Sequence, residues 1–404
     1  MKKFFLFIIL LLFPSLIYAL EFPKTNSKIV EIYDITDNKI IYNLDSTKKS
    51  SIASLTKIVT TITAIENIEI LDQKVTITDD ILNTVRWDAS RAGLKAGDTV
   101  SYRDLLYASM LPSGADATNS LAILSSGSVS NFVKKMNELV EKVGVENTHF
   151  VNTTGLDDSN HYSTADDMRK ILEYALKNQL FKQIYTTRQY QLTNGLIVNS
   201  TINTYNKNSS INTNKIIGSK TGFTLDAGYC LSSLSNINGH DFIIITLNAE
   251  HKDNKYYNIV DTVELIDFLN KNFKEEILVS KDQVVKNIPV ELSKIDNYEI
   301  NASNDVKKYL PSDYDINKIK IEYKGLETLN YKNKENDKIG TINYYYDSEL
   351  IKSEDVLLNT KIELSISKIL KKNIYLIIIV ITILIITTFL ILKKKKIHYK
   401  KSTI

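Results

Sequence analysis

Residues 374–392 carry no charge and are nearly all Ile, Leu, Val and Thr. As a helix rising about 1.5 Å per residue, the run reaches about 28 Å, close to a hydrocarbon core of roughly 30 Å. Lys371 and Lys372 precede it, while Lys393, Lys394, Lys395, Lys396, Lys400 and Lys401 follow it. The heavier positive side stays in the cytoplasm, so the pattern predicts a single-pass anchor with the body outside and a short basic tail inside. A buried core helix would share the apolarity but not the lysine cluster behind it. At the other end, Lys2 and Lys3 are followed by an unbroken apolar run over 4–12, and Ile17-Tyr18-Ala19 offers a small residue for cleavage. This is the pattern of a secretory signal peptide, with a mature chain starting near Leu20. Pro14 and the shortness of the run argue against a retained anchor.

About 350 residues lie between the two runs, enough for two or three domains. The formal net charge of +3 is accounted for by lysines beside the anchor, and no basic patch argues for nucleic acid. The only cysteine, Cys230, cannot form an intramolecular disulfide and is expected in the core. Five histidines, with no HxxxH spacing and no cysteine pair, predict neither a metal site nor a cofactor.

Residues 28–44 read as a hairpin around Thr36-Asp37-Asn38. Helices are expected over 58–70, over 105–124 with a break near Pro112-Ser113-Gly114, over 131–143 with a stop at Gly144, and over 164–177. Strands are expected at 189–192, 215–223, 228–233 and 241–249, then a closing helix at 258–272. The order predicts an α+β fold, a helical cluster on an antiparallel sheet. Residues 201–214 read as an Asn/Ser/Thr-rich loop. Beyond Lys274, short strands at 284–292, 319–323, 338–346 and 356–364 predict a small all-β domain.

Three short stretches could carry chemistry. In Ser54-Leu55-Thr56-Lys57, positions three apart share a helix face, so Ser54 Oγ and Lys57 Nζ can meet. A serine needs a base to become a nucleophile, and a lysine serves only if burial or a nearby cation lowers its pKa. The spacing alone is weak, because Ser46 with Lys49 and Ser365 with Lys368 repeat it. Pro112-Ser113-Gly114-Ala115-Asp116 breaks a helical region with a serine-bearing loop. Lys220-Thr221-Gly222 occurs once, between Ile216-Ile217 and Phe223. There, glycine lets another backbone approach, and the lysine and threonine suit the carboxylate of an extended peptide docked on a strand.

The order Ser-x-x-Lys, Ser-Gly-x, Lys-Thr-Gly is that of the serine acyltransferases that include penicillin-binding proteins and class A β-lactamases. The stretches "ASLTKIVT" (53–60), "LKAGDTVSYRDLLYASMLPSGADATNSLA" (94–122), "MNELVEKVGVENTHFVNTTGLDDSNHYSTADDM" (136–168) and "GSKTGFTLDAGYCL" (218–231) resemble the D-alanyl-D-alanine carboxypeptidase family, the low-molecular-mass penicillin-binding proteins. Behind the signal peptide at 1–19, the resemblance implies a β-lactamase/transpeptidase-like catalytic domain at 20–276. A β-rich stalk at 277–370, an anchor at 371–392 and a tail at 393–404 would follow. It further implies that Ser54 attacks the carbonyl between the last two D-alanines of a peptidoglycan stem peptide. Lys57 would be the general base and Ser113 a proton relay. Lys220, Thr221 and Gly222 would bind substrate, and the backbone N–H groups of Ser54 and Phe223 would form the oxyanion hole. β-Lactam antibiotics would be covalent inhibitors.

Three positions depart from that pattern. The middle motif most often ends in Asn, which would hold Lys57 and the substrate amide; Ala115 stands there. Phe223 replaces a histidine after Lys-Thr-Gly, and Thr154 stands where some relatives carry histidine. A serine β-lactamase is an alternative reading, although no glutamate-bearing deacylation loop is evident. A catalytically weak penicillin-binding scaffold for wall peptides is another, kept open by Ala115.

Overall fold

The computed structural model describes residues 20–203, 211–252 and 255–401. The expected signal peptide and part of the expected 201–214 loop lie outside these residues. The chain divides into two compact units at Lys274/Glu275.

In the first unit, β1 (Ser27–Asp34) and β2 (Lys39–Leu44) form the expected hairpin, and β3 (Ile216–Thr224), β4 (Gly228–Ile237) and β5 (His240–Ala249) form a meander. They assemble as one antiparallel sheet in the order β2-β1-β5-β4-β3. Every residue from Phe242 to Leu247 is buried. An antiparallel strand with one wet face would alternate; this continuous run means both faces are covered. The covering elements include α5 (Ala165–Leu176) and α7 (Tyr257–Asn272), both of which contact β5. Cys230 is buried on β4, as its context predicts.

Further helices among the described residues include α1 (Thr56–Asn67), α2 (Tyr102–Met110), α3 (Ala115–Ser126), α4 (Val129–Val143) and α6 (Gln179–Thr186), with a single turn at Asp79–Asn83, and residues 201–203, at the start of the expected 201–214 loop, are helical instead. Their ends follow local chemistry. Ser101 and Asp104 form a reciprocal capping box on α2. Ser128 caps α4, which stops at left-handed Gly144, and Thr164 caps α5. The expected 58–70 helix ends early, because Ile68 takes extended backbone. The expected 105–124 helical region breaks where Pro112-Ser113-Gly114 predicts, into α2 and α3, with Ser113 at φ 65.

The second unit is β-rich with its own core, which includes Ile288, Val290, Ile300, Ile339, Ile342 and Tyr344. Strand Val284–Glu291 lies between Asn297–Asn301 and Leu329–Asn330, and Lys338–Tyr346 lies between Ile319–Gly325 and Glu349–Leu357. The strand expected at 356–364 is displaced. Asp347 and Ser348 both take positive φ, 50 and 69, which closes a two-residue hairpin straight after Tyr346. Leu364 makes only an isolated bridge to Ser293. The chain continues into helix Ile374–Lys401, whose stretch Ile374–Lys394 is exposed and long and apolar enough to cross a membrane.

Candidate active site

Ser54 sits in a 3-10 turn, Ala53–Leu55, that leads directly into α1. Ala53 before it holds φ 47, a left-handed value that costs a non-glycine residue about 1 kcal/mol or more. Neighbours hold the turn there. Thr56 Oγ1 donates to the Ala53 carbonyl at 2.8 Å and meets His161 Nε2 at 2.7 Å. The Val151 N–H donates to His161 Nδ1, so this network assigns the ring proton to Nε2. Burial holds His161 neutral, pushing its pKa down to about 4. Gly155, at φ 83, passes so close that a Cβ there would stand 1.8 Å from the Ala53 carbonyl oxygen.

Lys57 is the second residue of α1 and fully enclosed. Its ammonium donates to Ser54 Oγ at 2.9 Å and to the Thr154 carbonyl oxygen at 2.6 Å. Burial lowers its pKa to about 7, against a smaller opposing pull from Asp116. A lysine held near neutrality, one hydrogen bond from a half-exposed serine hydroxyl, is an acid–base pair suited to activating a nucleophile.

Ser113 occupies the loop between α2 and α3. Its Oγ is buried and has no hydrogen-bond partner, and no hydrogen bond joins it to Ser54 or Lys57 among the described residues. Ala115 opens α3 and is completely buried. The buried Asp116 carboxylate accepts from the N–H groups of Ala92, Gly93 and Leu94, clamping a second loop beside this one.

Lys220, Thr221 and Gly222 lie on β3, at the sheet edge. Lys220 Nζ donates to the Thr221 carbonyl at 2.9 Å, and burial together with the charge of Lys57 pushes its pKa well down. Thr221 Oγ1 is 2.6 Å from Thr201 Oγ1. A Cβ on Gly222 would stand 3.0 Å from both Ala53 Cβ and the Ser54 nitrogen, so the absent side chain lets the strand press against the serine turn. Phe223 is partly exposed and packs on Tyr229 and His251. Thr224 Oγ1 donates to Asp157 Oδ1 at 2.6 Å.

Residues 19–251 match the family described as D-alanyl-D-alanine carboxypeptidase. The chain belongs to the D-alanyl-D-alanine carboxypeptidase family. Residues 273–364 match the penicillin-binding protein 5 C-terminal domain. The chain is 26% identical over 366 residues to D-alanyl-D-alanine carboxypeptidase DacF of Bacillus subtilis, covering 86% of this chain and 90% of that one. It is 36% identical over 214 residues to a D-alanyl-D-alanine carboxypeptidase of Streptomyces sp. strain K15, covering 47% and 70%. Penicillin-binding protein 5 of Haemophilus influenzae superposes with a TM-score of 0.60 at 25% identity, over 85% of this chain and 100% of that one.

Against this family background, four contributors went unread in the sequence. Thr154 acts through its carbonyl, which no side-chain pattern reveals. His161 lies 105 positions from its partner Thr56. Asp116 was visible in "PSGAD" but carried no signal of its loop clamp. Thr201 stood in a stretch whose composition reads only as loop.

Proposed function

We propose that this member of the family is a serine-type D-alanyl-D-alanine carboxypeptidase that trims peptidoglycan stem peptides through a Ser54 acyl-enzyme. The observation that carries the reading is Lys57 Nζ at 2.9 Å from Ser54 Oγ, in a pocket whose burial brings the lysine near neutrality. Neutral Lys57 takes the Ser54 proton as Oγ attacks the carbonyl carbon between the last two D-alanines. The backbone N–H groups of Ser54 and Phe223 receive the developing oxyanion; such a donor typically contributes about 3 kcal/mol. Ser113 relays a proton to the leaving amine, and D-alanine departs. Water then cleaves the ester and restores Ser54. Lys220, Thr221 and Gly222 seat the terminal carboxylate and the peptide backbone, and Thr201 steadies the Thr221 hydroxyl. The same serine is acylated by β-lactam antibiotics.

Residues 20–276 form the catalytic domain and 277–370 a stalk. The apolar helix anchors the chain, with the lysine-rich tail in the cytoplasm and the catalytic domain on the extracellular face. The test uses fluorescent penicillin on the wild type and on Ser54→Ala. Label on the first alone, together with D-alanine release from a pentapeptide, is expected. No label on the wild type would sink the enzyme class. Label without release would favour the scaffold reading that Ala115 keeps open.

A further inference from the structure

Three rings close over the end of β3. The Phe223 ring centre lies 4.6 Å from that of Tyr229 and 5.0 Å from that of His251, and Tyr229 lies 5.3 Å from His251. Each ring touches the other two, at separations favourable for ring pairs. A fourth ring, Tyr256, meets Tyr229 edge-on at 5.5 Å. The sheet register brings them together. Phe223 pairs with Tyr229 across β3 and β4, and Tyr229 pairs with Ala249 across β4 and β5. His251 follows Ala249 by two positions, the repeat that returns side chains to one face of a strand. His251–Lys252 then pairs with Lys255–Tyr256 as a short antiparallel ribbon.

The cluster holds a residue that the sheet alone holds weakly. β3 is the outermost strand and is paired on one side only. An N–H group that receives an oxyanion is left out of the ladder to β4, so that ladder does not fix it. On either side of Phe223 the backbone is fastened: Gly222 is pressed against the serine turn, and Thr224 is bonded to Asp157. Phe223 itself is fastened through its ring, which is 37% exposed and packs on Tyr229 and His251. Tyr229 is buried within the sheet, whereas His251 is exposed and closes the cluster from the ribbon. The His251 side chain makes no hydrogen bond with Ser54, Lys57, Ser113, Lys220 or Thr221 among the described residues. What it brings to the site is a ring.

We propose that His251 is a positioning residue: packed on Phe223, it fixes the backbone N–H that Phe223 turns towards the oxyanion, and it does so through its ring rather than through its nitrogens. The inference rests on the carboxypeptidase reading, and its test separates the two. Stopped-flow reaction of the full chain with benzylpenicillin resolves the initial complex from the acylation step. His251→Ala should slow acylation about tenfold and leave the affinity of the initial complex within about twofold, because a displaced oxyanion donor is missed in the transition state. His251→Phe, a ring without nitrogens, should restore the rate. His251→Gln, which hydrogen-bonds but offers no ring, should not. On a Phe223→Ala background, adding His251→Ala should slow acylation no further, since the two rings act as one unit. A wild-type rate in His251→Ala overturns the proposal. So does rescue by glutamine but not by phenylalanine, and so do losses that multiply in the double variant.

Hydrogen exchange reads the same clamp without chemistry. Backbone amides over 219–225 should exchange faster in His251→Ala and at the wild-type rate in His251→Phe, with 28–34 in β1 unchanged in both. Unaltered exchange over 219–225 in His251→Ala would also overturn the proposal. Exchange that follows the ring in a wild-type protein that benzylpenicillin never acylates would instead sink the enzyme reading and leave the clamp on β3 standing.

Discussion

Lys57 Nζ stands 2.9 Å from Ser54 Oγ and is given a second partner, the Thr154 carbonyl at 2.6 Å. Both partners are neutral acceptors, so neither brings a full charge to offset burial, and the lysine pKa falls to about 7. The rate of acylation by benzylpenicillin should therefore rise with pH through a midpoint near that value, as the fraction of neutral Lys57 grows. Stopped-flow acylation at a series of pH values reads the profile. A rate flat from about pH 5.5 to 8.5 would exclude Lys57 as the base.

Ala115 offers a second handle on the same titration. An ammonium has three donors, and Ser54 and Thr154 take two from Lys57. In Ala115→Asn, a side-chain oxygen that reaches the third would favour the charged lysine. The acylation midpoint should then move up, by about half a unit or more, with a lower rate at pH 6. An unmoved midpoint would mean that the asparagine never meets Lys57.

The large outlines were legible because they rest on local physics. Gly144 ends α4 and Thr164 starts α5 where their caps require. The break at Pro112-Ser113-Gly114 falls where a proline and a left-handed residue leave no helix. Ser54 and Lys57 meet because three residues make almost one helical turn. What stayed hidden depends on contacts across the chain or on backbone groups. The Thr154 carbonyl reaches Lys57 across 97 positions. Thr201 finds Thr221 only once the chain has folded back on β3. The hairpin at Asp347-Ser348 escaped because its two left-handed residues lack the usual glycine.

Two glycines test how tightly the serine turn is held. At Gly155, an alanine would need left-handed backbone at φ 83 and would drive its Cβ into the Ala53 carbonyl. Gly155→Ala should destabilise the catalytic unit by about 3 kcal/mol or more and abolish acylation. Gly222→Ala meets Ala53 Cβ and the Ser54 nitrogen at 3.0 Å, a misfit of a few tenths of an ångström. It should slow acylation about tenfold or more while lowering the urea midpoint only slightly. Wild-type acylation by Gly222→Ala would show that β3 does not press on the turn.

His161 should leave a signature in stability against pH. Its folded pKa, about 4, lies below the unfolded value of about 6.5. Below pH 6.5 the unfolded chain takes a proton that the folded chain refuses, so stability falls with pH until the folded pKa is reached. The full difference is about 3 kcal/mol. Carboxylates titrate in the same window, so the diagnostic quantity is the gap between wild type and His161→Gln. Glutamine keeps a donor for Thr56 but does not titrate. The variant should be less stable at pH 7 and should gain on the wild type by about 2 kcal/mol at pH 4.5. Parallel urea midpoints at the two pH values would remove His161 from the acid sensitivity of the fold.

Ser113 combines two costs in one residue: a left-handed backbone at φ 65 and a buried hydroxyl with no partner among the described residues. Glycine adopts that backbone freely, which relieves roughly 1 kcal/mol, and removing the orphan hydroxyl relieves about 1 kcal/mol more. The added freedom of a glycine in the unfolded chain takes back about 0.5–1 kcal/mol. Ser113→Gly should therefore be more stable than the wild type by about 1 kcal/mol. If Ser113 relays the proton to the leaving amine, the same variant should release D-alanine about a hundredfold more slowly. Ser113→Ala separates the contributions, because it keeps the strained backbone and loses only the hydroxyl. It should match the glycine variant in rate and gain about 1 kcal/mol over the wild type from the lost hydroxyl alone. Undiminished D-alanine release by both variants would remove Ser113 from the proton path and leave its strain without a catalytic reason.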